Sequence, residues 1–287
     1  MSPLDLRGPE FVAFYAVTAV VVLGTAALLR HWFESGPTPS LREVDPYRVA
    51  HLRGGTDTAL QVAVLSLLDR GLLRLEGELL MAGAETLDKV RRPIEREVLR
   101  KFTTPGRPPQ VVQSSRAREA CAGLAAALRQ QGLLPDAGAI ARRVLIGLAA
   151  VALLEGVGIA KIQAASARGH HNVGILGMLM IFIPIVAFAA MAQRRTTTGN
   201  RYLDDLETMF RGLRERSTNL RIGGGSNELT LLLGVFGAPL LGGNIALWTK
   251  SLFPDPVRQQ QGSSSGCGSG GSCGGGGCGG GCGGCGS

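Results

Sequence analysis

Three apolar runs constrain this chain before anything else does. Residues 11–29 hold no charged side chain over 19 positions. As a helix, such a run is roughly 28 Å long, close to the ~30 Å hydrocarbon core of a bilayer. Residues 144–160 form a second run between Arg142–Arg143 and Lys161, interrupted by Glu155. Residues 173–192 form a third, closed by Arg194 and Arg195. Charged residues make up 18% of the chain, against about 25% in an average soluble protein. These patterns exclude a simple water-soluble globule and predict a mainly α integral membrane protein.

The ten residues before the first run carry Asp5, Arg7 and Glu10 rather than a basic cluster, so the run is expected to be an uncleaved anchor and not a signal peptide. Glu155 is expected near its helix end, turned to a partner helix or to headgroups, rather than serving as a buried functional carboxyl. Gly156 and Ala160, four apart, permit close helix contact. Pro184 is expected to kink the third run. The second and third runs are joined by a short segment containing Arg168, Gly169, His170 and His171, which makes them a helical hairpin. Neighbouring histidines on a short loop seldom converge on one ion, so this loop reads as solvated.

A fourth stretch, 229–248, is uncharged but broken by Gly234, Gly237, Pro239, Gly242, Gly243 and Asn244. It reads as a weak span, a re-entrant piece or a membrane-surface segment, so the count is three transmembrane helices with a candidate fourth. Lys and Arg near the run ends (Arg30, Arg42, Arg48, Arg142, Arg143, Arg194, Arg195, Arg201) favour a cytoplasmic 30–143 and a cytoplasmic region from 194, with residues 1–10 and the hairpin loop outside.

Residues 30–143 are long enough for one small α+β domain. Leu60, Ala63, Val64, Leu67 and Leu68 fall on one helical face, and Gly71 ends that helix. Residues 72–81 alternate around Glu76-Gly77 as a short hairpin would. Pro93 opens another helix with Ile94, Val98 and Phe102 on one side. A further helix from about Ser114 carries Ala117, Cys121, Leu124 and Leu128 and stops at Gly132; Cys121 is expected to be a small buried apolar residue. Residues 67–73 (LLDRGLL) echo 128–134 (LRQQGLL). A helix that ends this way and runs into a hairpin suggests a winged-helix-like unit, either one copy with an extension or two degenerate copies. DNA binding by the helix at 56–70 is not the expectation, because its one basic residue, Arg70, stands beside Asp57 and Asp69.

Residues 200–221 read as an amphipathic helix through Leu203, Leu206, Phe210, Leu213 and Leu220, with Glu207 placed to pair with Arg211. The helix is expected on the soluble domain or at the membrane surface. From 262 to 287 the chain contains only Gly, Ser and Cys, with 15 of its 42 glycines; nothing there can offset chain entropy, so a disordered tail is expected. Cys267, Cys273, Cys278, Cys282 and Cys285 are candidate soft-metal ligands, disulfide partners or modification sites. An inert tail is the plain alternative.

No catalytic set is legible. Gly262-Ser263-Ser264-Ser265-Gly266 has the G-x-S-x-G form but lies in the tail, without the strand and helix that expose a nucleophile. Gly223-Gly224-Gly225 lacks the Lys-Ser/Thr of a phosphate loop, and His31, His51, His170 and His171 suggest no base. No cofactor is expected.

The string Leu4-Asp5-Leu6-Arg7-Gly8-Pro9-Glu10-Phe11, then Asp45-Pro46-Tyr47 followed by His51-Leu52-Arg53-Gly54-Gly55, the LLDRGLL run and the tail together resemble a bacterial family of uncharacterised multi-pass membrane proteins with Gly/Cys-rich C-termini. The resemblance covers most of the chain and implies a topology but no residue roles. The expected protein is therefore non-enzymatic. It contacts the lipid bilayer and, through its cytoplasmic domain, a protein partner; nucleic acid is not the expected partner. A membrane-tethered transcription regulator and a thiol or metal module are the alternatives.

Overall fold

The structure is a computed structural model and describes residues 8–36, 44–83, 87–167, 174–216, 227–237 and 249–253. In chain order its elements are α1 (Gly8–Glu34), α2 (Pro46–Asp69), β1 (Leu73–Glu76), β2 (Leu79–Ala82), a 3-10 turn (Leu87–Lys89), α3 (Pro93–Lys101), α4 (Gln110–Gln113), α5 (Ser115–Ala120), α6 (Ala122–Gln130), α7 (Ala137–Ala167), α8 (Gly174–Met191), α9 (Thr197–Met209), α10 (Arg211–Arg216) and α11 (Asn227–Phe236).

The three apolar runs lie on α1, α7 and α8, each long and apolar enough to cross a membrane. Their side chains mostly face outward: Val20, Trp32, Leu145 and Met178 are each at least 70% exposed. Contiguous apolar surface on this scale is rare in water. Between the helices, Phe11, Tyr15, Ala19, Leu154, Leu176 and Ile183 make a small core, and the Tyr15 hydroxyl donates to the Leu154 carbonyl at 3.2 Å. A Cβ added at Gly147 would collide with Met191, and one at Gly158 with Met180. These two close approaches set the antiparallel register of α7 and α8. Gly156 has open space around it, so the intimate contact falls at Gly147 and Gly158 rather than at Gly156 and Ala160. α8 continues through Pro184 as one element, and the missing amide there deprives the Met180 carbonyl of its usual donor.

The second body is built around α2. Leu60, Ala63, Val64 and Leu67 are fully buried, as the helical spacing predicts. One core joins residues on both sides of the α7–α8 hairpin in sequence, because Tyr202, Leu203 and Leu206 of α9 and Leu229, Leu232, Leu233, Val235 and Phe236 of α11 pack with the α2 cluster. The body thus extends beyond 30–143. It also explains the fourth apolar stretch. Over Asn227–Phe236 that stretch is a ten-residue helix, shorter than the ~20 residues of a helical crossing, laid along α2 so closely that a Cβ at Gly234 would stand 2.6 Å from the Pro46 carbonyl. Residues 238–248 lie outside the described residues.

The hairpin forms where alternation predicts it, with Glu76 opposite Leu79 and a two-residue turn at Gly77-Glu78. Gly77 has φ 62°, a conformation that favours glycine. Beyond this two-stranded sheet, an isolated bridge ties Leu80 to Gly106 through bonds of 2.8 and 3.2 Å. The helix expected from Ser114 divides into α5 and α6 at Cys121, and the one expected over 200–221 divides at Phe210.

The sequence echo is a shared helix end. Leu72 N donates to Leu67 O and Leu133 N to Leu128 O, with Gly71 and Gly132 at φ 68° and 70°. This is the Schellman arrangement. Only the first copy runs into a hairpin; the second leads into α7, so the echo does not make two winged-helix copies.

Candidate functional site: an arginine junction between bundle and body

Helix ends leave carbonyls without intrahelical donors, and a guanidinium is well suited to collect them. Four arginines do this where the bundle meets the body. Arg143, on the first turns of α7, has a side chain only 3% exposed and engages both carboxylate oxygens of Glu34, Oε2 at 2.7 Å. It also donates to the carbonyls of Gln193 (2.6 Å) and Arg195 (2.8 Å), just past the end of α8. Arg30, one turn before Glu34 on α1, donates to the same carboxylate at 3.2 Å and to the Ala190 carbonyl at 2.7 Å. Three membrane-length helices are thereby pinned at one level by one carboxylate and two guanidiniums.

The second pair lies inside the body. At Gly55 the backbone of α2 turns to φ 80°, ψ −163°, a region open essentially to glycine, and the helical ladder breaks. The Leu52 and Arg53 carbonyls before the break are taken by Arg195, through Nε at 2.9 Å and through Nη2. Arg53 in turn binds Glu207 at 2.8 Å and the Val235 carbonyl near the end of α11. Glu207 therefore pairs across elements with Arg53 rather than with Arg211 on the next turn. Burial, with Arg53 nearby, lowers the Arg195 pKa from its usual value, while Glu207 and Asp204 oppose that fall.

Thr196 completes the joint. Its hydroxyl caps α9 by accepting from Gly199 N at 3.0 Å, and it approaches the Gly132 and Leu133 carbonyls at 2.7 and 3.0 Å. Thr198 donates to the Glu34 carbonyl at 2.8 Å and accepts from Gly36 N at 3.0 Å. Gly199 sits so close to the Leu133 carbonyl that no side chain fits there.

The sequence strings now have physical roles. Asp45 caps α2, Pro46 occupies its first turn, and the Tyr47 hydroxyl donates to Glu95 at 2.6 Å. Arg70 holds the other Glu95 oxygen at 2.9 Å. Burial, with Glu95 beside it, raises the Tyr47 pKa well above the usual phenol value. In His51-Leu52-Arg53-Gly54-Gly55, the last glycine makes the break and Arg53 spans to α11. His51 is buried, its pKa is lowered by burial and then by Arg129, and its Nδ1 has no hydrogen-bond partner among the described residues.

Cys121 is buried, and burial pushes its thiol up to about 11, the behaviour of a packing residue rather than a nucleophile. Glu155 is half-buried on α7, and its Oε1 has no hydrogen-bond partner among the described residues. Cys267, Cys273, Cys278, Cys282 and Cys285 lie outside the described residues, as do His170, His171 and Gly223–Gly225. Among the described residues, no three His, Cys, Asp or Glu side chains gather as a metal site. Sequence reading missed the junction because it counted Arg30, Arg143 and Arg195 only as orientation signals. The available clue was that each stands within a turn or so of a helix end. No known protein family, curated protein or solved structure matches the chain.

Proposed function

We propose that this chain is a multi-pass protein of a bacterial inner membrane, of the Gly/Cys-tailed kind its sequence resembles. Its work is to hold a small soluble interaction body at the cytoplasmic surface of the bilayer. The observation that carries this reading is the junction: Glu34, Arg30, Arg143 and Arg195 bind the ends of the apolar helices to the body through charge-assisted bonds in which arginine donors meet carbonyl and carboxylate acceptors. A body fastened this way is a rigid extension of its anchor. The winged-helix-like reading of this body rests on the second half of α2 running into the two-stranded 73–82 hairpin, with α3 following. Leu75 and Leu79 stand exposed on that hairpin and offer a protein partner an apolar edge.

Binding duplex DNA through α2 is disfavoured, because from Ala59 to Asp69 only Gln61 and Leu68 escape full burial. The test is extraction. An alkaline wash of membranes, without detergent, should leave the full chain in the pellet; release of intact protein would overturn the reading. Absence of salt-dependent duplex binding by the purified chain, even at low salt, is the expected companion result.

A further inference from the structure

The helix bundle is packed in its half away from the body and open in the half beside it. Phe11, Tyr15, Ala19, Leu154, Leu176 and Ile183 fill the far half. Beside the body, α1, α7 and α8 surround a cavity of about 440 Å³. That lies within the range of about 300–1,000 Å³ usual for small-molecule sites. Small residues create the space: Ala26, Ala27, Ala150, Ala187 and Ala190 line it. Ala27 on α1 and Ala190 on α8 are themselves exposed, so the mouth opens between those two helices.

The two ends of the cavity differ in chemistry. Leu23, Ala150 and Val186 line one end. Arg30, His31, Arg143, Gln193, Thr197 and Asn200 line the other, at the level of the junction. Two guanidiniums face the single carboxylate of Glu34, which leaves net positive charge there. Each guanidinium has five N–H groups, and the junction bonds do not use all of them on either arginine. Arg201 Nη2 lies 3.1 Å from His31 Nε2. A third guanidinium therefore stands beside this end of the cavity.

We propose that this cavity binds an anionic glycerophospholipid. The headgroup phosphate lies against Arg30, Arg143 and His31, and an acyl chain lies along the alanine-lined wall between α1 and α8. The proposal rests on the membrane reading above. Basic pockets between membrane helices at the cytoplasmic side suit such headgroups. A free anion would satisfy only the polar end and leave the apolar end empty, which is why the occupant is a lipid.

The full chain, purified in neutral detergent micelles, is incubated with phosphatidylglycerol, phosphatidylcholine or glycerol 3-phosphate, and bound molecules are counted by native mass spectrometry. Phosphatidylglycerol should be retained over phosphatidylcholine by about fivefold, the discrimination expected of one excess positive charge near an anionic headgroup. Ala27→Trp, which blocks the mouth at an exposed position, should abolish that preference. Leu28→Ala, on an exposed neighbour outside the lining, should preserve it, and both variants should keep the wild-type melting temperature. Equal retention of the two lipids, an unchanged preference in Ala27→Trp, or full displacement of the lipid by glycerol 3-phosphate would each overturn the proposal. If the alkaline wash leaves the protein in the membrane while these lipid results fail, the lipid site alone falls; release by the wash would remove the membrane reading itself.

Discussion

α8 and α11 are both uncharged in their interiors and rich in Leu, Ile, Val and Phe, yet they meet opposite surroundings. In α8 only Leu176, Ile183 and Ala187 are buried, while Met178, Ile181 and Phe182 face outward. In α11 Leu229, Leu232, Leu233, Val235 and Phe236 are all buried against α2 and its neighbours. Apolar character therefore does not choose between lipid and protein as the surrounding medium. Length and the presence of a covering partner do: eighteen residues reach across a hydrocarbon core and ten do not.

The sharpest way to break the contrast is at the carboxylate that joins the two regions. Glu34→Ala would leave the buried Arg143 and the half-buried Arg30 without their counter-charge, and removing one partner of a buried pair typically costs about 3–5 kcal/mol. Limited proteolysis in micelles should then find the body detached from the bundle; retained protection would show that the carboxylate is dispensable. Next come matched truncations. Leu232→Ala in α11 should cost about 2–5 kcal/mol of body stability. Ile181→Ala in α8 should cost less than about 1 kcal/mol, because that side chain only exchanges one apolar surrounding for another. Thermal melting followed by circular dichroism separates them, and equal losses would erase the distinction.

A matched glycine pair sharpens the comparison further. Gly234→Ala drives a Cβ onto the Pro46 carbonyl and should cost about 1–3 kcal/mol, whereas Gly177→Ala has open space and should be neutral or gain up to about 1 kcal/mol of helix propensity. The smallest effect concerns pH and only the body. His51 has a folded pKa below its usual 6.5, so the unfolded chain takes up the proton first on acidification. Stability is then fullest above pH 6.5 and declines as the pH falls below it. Replacing His51 with Gln should flatten that decline, and an unchanged acid dependence would assign it to other groups.

Much of this was legible in the residues. The three long runs, the hairpin around Gly77, the buried face of α2 and the helix ends at Gly71 and Gly132 all follow from local pattern, because period and capping chemistry act over a few residues. What escaped depends on partners far away in sequence. The packing of 229–236 on α2 was not legible because that cover is contributed by residues some 170 positions earlier. Arg143 and Arg195 looked like topology markers because nothing local reveals the carbonyls they bind. Glu207 had a plausible mate on the next turn, yet Arg53 took it. The break at Gly55 was hidden in a string whose glycines do not announce which of them adopts the unusual backbone.

The shared core of α2, α9 and α11 has a consequence for biogenesis. The hairpin of α7 and α8 separates the two halves of this core in the chain, so α9 and α11 can dock only after both of those helices have been made. On the membrane reading proposed above, a nascent protein that inserted one of the two helices and missed the other would strand α9 and α11 across the bilayer from α2. The apolar face of α2 would then lack the cover that α9 and α11 supply.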